Sequence, residues 1–185
     1  MAAEGIRRPF GVLTALGTAA HHGFEYRAGV GLVFEPFLGR RGAKALWGVL
    51  LPFGALAAAF GGRRHDKALA FQAGAALAGG VIHYLEWPWR VRGGVPTLIE
   101  AEGLRPEQVP AYDAVLKFWI AVSALAVGRE TASGAWPFAL AGLLSGVPLR
   151  ASARHHFAWA REQALRDPES WSPVLYEHAV AERAP

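Results

Sequence analysis

Two short stretches set a histidine and a glutamate three positions apart inside apolar sequence: His22-Gly-Phe-Glu25 and His83-Tyr-Leu-Glu86. Positions three apart share a helix face, so each pair presents an imidazole and a carboxylate to one point. Such pairs supply metal ligands. They also supply an acid–base couple, in which the carboxylate orients the imidazole and raises its basicity. A third element, Arg154-His155-His156, follows the last strongly apolar stretch. The candidate metal ligands are therefore His22, Glu25, His83, Glu86, His155 and His156, and the candidate catalytic groups are Glu25, Glu86, His83 and His22.

The sequence contains no cysteine, which excludes disulfides, thiolate-held iron–sulfur clusters and a cysteine nucleophile. A bound ion would be zinc or iron on imidazole and carboxylate. In ligand strategy the paired helices resemble carboxylate-bridged di-iron bundles. Those run Glu-x-x-His, whereas both pairs here run His-x-x-Glu, so the resemblance stops at strategy. The plainer alternative is that each pair is a buried hydrogen-bonded tie between helices. No Gly-x-Ser-x-Gly elbow or phosphate-binding glycine loop is present.

These residues must be positioned by membrane-type elements. The 185 residues suit a single domain, and apolar segments rich in Ala, Gly, Leu and Val alternate with short connections dense in Arg. The expected fold is all-α, an integral membrane bundle of about five short transmembrane helices. Candidate spans are 9–34, 43–61, 68–87, 111–128 and 135–149, with a polar loop at 88–110 and a helical extension and tail at 150–185. Arg7 and Arg8 before an apolar run to Ala20 resemble a secretory signal, but Gly11, Thr14, Gly17 and Thr18 weaken its core, and a first membrane helix is the preferred reading.

The first span is unusual because His21, His22, Glu25 and Arg27 fall within it. Charge in lipid must face protein, water or an opposite charge, which makes these residues a functional hypothesis. Alternating the spans brings His83, Glu86, Glu35 and the His155-His156 pair to one end, and leaves His65 and Glu130 to solvent on the other. Asp113 and Lys117 are expected to snorkel to the interface. Trp47, Trp87, Trp89, Trp119 and Trp136 read as an interfacial belt, and Tyr26 and Tyr84 as packing residues. Small residues at 54–59 and 74–80 permit close helix approach. Thr97–Gly103 could form a short interfacial helical turn.

The net charge of +4 arises from residues that bracket apolar segments without forming a basic stripe. That pattern suits lipid headgroups and not nucleic acid. The positive-inside rule leans toward a cytoplasmic carboxyl terminus. The functional expectation is a small multi-pass enzyme of the cell membrane, acting on a lipophilic molecule that enters from the bilayer, with metal assistance. One alternative is a metal-free acid–base isomerase or terpenoid-type cyclase. Another is a haem- or quinone-binding subunit or scaffold without enzymatic activity.

Overall fold

The structure, a computed structural model, describes residues 6–184. It is predominantly helical, as expected. Helix α1 runs Pro9–Arg27 and opens on a proline, whose missing N–H is no loss at the first helical position. Its next amides, on Phe10 and Gly11, donate to the Glu130 carboxylate at 2.8 and 2.7 Å. Glu130 is thus a capping group and not the solvated side chain expected, favoured there by the helix dipole. Helix α1 ends before the expected boundary at 34. Gly29 and Gly31 take φ of +77° and +88°, a left-handed conformation that no right-handed helix continues through.

Helix α2 (Glu35–Phe60) bends at Gly39, where φ is +68° and ψ 167°, so its regular part matches the expected span from 43. A 3-10 turn at Arg63–His65 leads into α3 (Asp66–Glu86). The loop at 88–110 holds an antiparallel hairpin, β1 (Trp89–Arg92) and β2 (Val95–Leu98), in place of the helical turn expected at Thr97–Gly103. Gly93 and Gly94 both have positive φ, as a tight two-residue hairpin turn requires. Asp113 anchors this hairpin. Its carboxylate accepts from the Leu98 amide at 3.0 Å, the Tyr84 hydroxyl at 2.7 Å and Lys117 at 2.6 Å. Asp113 is buried and so pairs internally where snorkelling was expected, whereas Lys117, bound to it, stays partly exposed.

Helix α4 (Val109–Glu130) is followed by a 3-10 turn at Ser133–Ala135, α5 (Trp136–Leu144), α6 (Gly146–Arg166) and α7 (Pro173–Ala181). The expected continuous helix from 135 breaks at Ser145, whose hydroxyl donates to the Gly142 carbonyl at 2.6 Å. Pro148, with no N–H to offer, then sits in the first turn of α6. Beyond it, Ser172 caps α7 and binds the Gly103 carbonyl at 2.6 Å, which holds the tail against the loop.

Helix α2 packs on α1, α1 on α4, α4 on α3, and α3 on α5. Glycine sets the closest approaches. A Cβ on Gly142 would strike the Phe71 carbonyl, and one on Gly74 the Ala139 carbonyl, so α3 and α5 touch backbone to backbone. Trp119 of α4 is wedged between Gly17 of α1 and Gly79 of α3, where added Cβ atoms would lie 2.9 and 3.0 Å from its ring.

Among the described residues, three helices are long and apolar enough to cross a membrane: α2, the segment 63–86 that carries α3, and α4. Along α2, Val49, Phe53, Leu56 and Phe60 are exposed and form a continuous apolar face. Helix α5, with nine residues, reaches only about 13 Å, less than half of the ~30 Å hydrocarbon core. Helix α1 buries His21, His22 and Glu25 on one side. Of the five expected spans, α5 is too short, and α1, with 19 residues, is long enough but falls outside the set that is also sufficiently apolar.

Candidate functional site

Glu25 lies at the meeting point of α1, α3 and α4, and its carboxylate is the hub of the buried polar groups there. Tyr112, on α4 and fully buried, donates its hydroxyl hydrogen to Glu25 Oε1 at 2.7 Å. That hydrogen being committed, the phenol oxygen accepts from His21 Nδ1 at 3.2 Å. The His21 tautomer is thereby fixed, and its Nε2 lone pair faces Glu25 Oε2 at 3.4 Å. His83 follows the same logic. Its Nδ1 donates to the Gly79 carbonyl at 2.8 Å, leaving Nε2 as a lone pair 3.9 Å from Glu25 Oε1. His22 Nδ1 stands 3.7 Å from Oε2 with no hydrogen-bond partner.

Two imidazole lone pairs thus point at a carboxylate, acceptor against acceptor. That arrangement is unfavourable unless a cation or a proton lies between them. Ligand atoms from His21, His22 and Glu25 all fall within 4.8 Å of one another. Imidazole ligands whose second nitrogen binds a carbonyl or hydroxyl have the orientation that metal sites use. The donor set, nitrogen and carboxylate oxygen without thiolate, suits zinc or iron.

Aromatic rings close the site. His21 stacks on Trp119 at 4.8 Å, His22 lies 4.0 Å from Trp47, and Trp87 meets His83 edge to face at 4.9 Å. Trp47, Trp87 and Trp119, expected as part of an interfacial belt, thus pack against the histidines of the site. Trp89 and Trp136 remain exposed.

No protein-family model, curated protein or solved structure matches this chain.

Of the residues named from sequence, His22, Glu25 and His83 converge. Glu86 does not. It turns away from the centre to Arg150 and to Arg154 Nε at 2.7 Å, tying the end of α3 to α6. His155 is exposed, its ring 5.3 Å from Phe37. His156 is buried nearby and donates from Nε2 to the Val30 carbonyl at 3.0 Å. Burial holds its pKa below the ordinary histidine value, although the Glu25 charge pulls the other way. Sequence reasoning missed His21 as a ligand and Tyr112 altogether. His21 carried a signal, standing one helical turn before Glu25. Tyr112 carried none, because its partner lies 87 positions away.

Proposed function

We propose that this chain is a small multi-pass membrane enzyme of the cell membrane, with a metal-assisted centre on His21, His22, Glu25 and His83 acting on a lipophilic molecule from the bilayer. The observation that carries this reading is the convergence of imidazole nitrogens on Glu25 at 3.4, 3.7 and 3.9 Å. Helices α2, α3 and α4 cross the membrane, and α1 and α5 complete the bundle beside them. The outward apolar face of α2 meets lipid. A zinc or iron ion, when bound, would act as a Lewis acid that activates water or polarises a substrate group. Glu25 would hold or release a proton at the carboxylate oxygen left free of the ion, Tyr112 holds Glu25 in register, and the Gly79 carbonyl keeps His83 in the ligating tautomer. Trp47, Trp87 and Trp119 would shield the centre from bulk water.

The Tyr112–Glu25 hydrogen bond favours a second reading, metal-free acid–base isomerisation or cyclisation, in which a proton occupies the space between imidazole and carboxylate. A haem between two histidines is poorly supported by this centre, since the His21 and His83 rings lie only 4.8 Å apart and edge to face.

Elemental analysis of detergent-purified protein tests the choice. Stoichiometric zinc or iron in the wild type, lost in Glu25→Gln and in His21→Asn with folding intact, supports the metal reading. A wild type that neither carries metal nor takes up added zinc transfers the proposal to the acid–base reading.

A further inference from the structure

A second group of buried polar atoms lies beside the centre and is not used by it. Glu35, the first residue of α2, is 1% exposed, yet neither of its carboxylate oxygens has a hydrogen-bond partner. His156 of α6 is 3% exposed. Its Nε2 hydrogen is committed to the Val30 carbonyl, which makes Nδ1 an acceptor, and Nδ1 is also unpartnered. Both side chains close on the same notch. A Cβ placed on Gly31 would lie 3.0 Å from Glu35 Oε2, 3.2 Å from His156 Cε1 and 3.0 Å from the Trp171 ring, which walls the notch. Gly31, at φ +88°, keeps that space free and supplies the left-handed turn that brings α2 back against α6.

Buried acceptors without a donor are costly, and each in a native fold calls for a bound partner. No hydrogen bond or ion pair joins Arg40 to Glu35, although Arg40 Nε is itself buried and unpartnered. Nη2 donates to the Ser170 carbonyl at 3.1 Å, and the group lies over the Trp171 ring at 4.9 Å. A carboxylate and an imidazole lone pair sharing one buried notch are ligands for a borderline divalent cation, with water completing the shell.

We infer that Glu35 and His156 form a second divalent-metal site at the Gly31 notch, separate from the His21, His22 and Glu25 centre. The inference goes beyond the central site, and its test reads the two sites independently. Zinc is the probe, added to stripped, detergent-purified full-length protein, and bound metal is counted after desalting. An equivalent lost in Glu35→Gln and in His156→Asn but retained in Glu25→Gln assigns the second site. Zinc content in Glu35→Gln and His156→Asn equal to that of the wild type overturns it, and leaves Glu35 bridged by water to the unpartnered Arg40 Nε. Loss confined to Glu25→Gln and His21→Asn establishes the central site alone. Should the Glu35 and His156 variants unfold, anomalous scattering from zinc-loaded wild-type crystals decides. A peak between Glu35 and His156 supports the site, and none there refutes it.

Discussion

The Tyr112 hydroxyl donates to Glu25 Oε1 at 2.7 Å and simultaneously accepts from His21 Nδ1 at 3.2 Å. One phenol on α4 thus orients both a carboxylate and an imidazole of α1. Removing it should loosen the centre without deleting a ligand. In Tyr112→Phe, zinc affinity is expected to fall about 10- to 100-fold, the usual cost of losing a group that orients a ligand. Competition with a chromophoric chelator measures this. An unchanged affinity would show that the phenol orients nothing.

Glu86 and Glu25 occupy equivalent places in their His-x-x-Glu pairs but different places in the fold. Glu86→Gln should leave metal content at the wild-type level, because its carboxylate serves Arg150 and Arg154. Elemental analysis of this variant beside Glu25→Gln checks the distinction. A loss of metal in Glu86→Gln would return it to the site.

The α3–α5 contact rests on glycine. Gly142→Leu is expected to destabilise by about 1–3 kcal/mol or more, as overpacking does, since even a Cβ there meets the Phe71 carbonyl and the Ala75 amide. Gly48→Ala is the control, having nothing within 4 Å of the added atom. Thermal unfolding in detergent compares them, and equal melting temperatures would contradict the close approach.

Glu130 caps a helix far from it in sequence. Glu130→Ala strips the Phe10 and Gly11 amides of their acceptor and should cost about 1–2 kcal/mol, in the range of a lost helix cap. Hydrogen exchange should accelerate at the first turn of α1 before it does elsewhere. Uniform acceleration would point to a global effect instead.

The absence of native cysteine makes single-cysteine labelling clean. A spin label at Phe53→Cys, on the exposed face of α2 (Phe53 is 63% exposed), should be relaxed by oxygen and protected from a water-soluble nickel complex in vesicles. The reverse pattern would place this face in water.

Composition and local pattern determined the helical character of the chain, the apolar segments that became α2, α3 and α4, and the shared helix face of His22 and Glu25. These follow from short-range physics. Hydropathy over some twenty residues identifies membrane-length helices, and three-residue spacing sets two side chains on one face. The same spacing failed to decide His83 and Glu86. Residues three apart are offset by about 60° around a helix, enough for one to turn inward to Glu25 while its neighbour reaches outward to two arginines.

Only the tertiary structure decided which distant groups meet. Tyr112 reaches Glu25 because Trp119, one helical stretch further along α4, is seated in the Gly17 and Gly79 notches. Glu130 caps α1 because α4 runs beside it. Glu35 and His156 share a notch because Gly31 turns the chain. Each relation depends on close packing between segments remote in sequence, which leaves no periodic trace in either segment, whereas burial and spacing within one helix do.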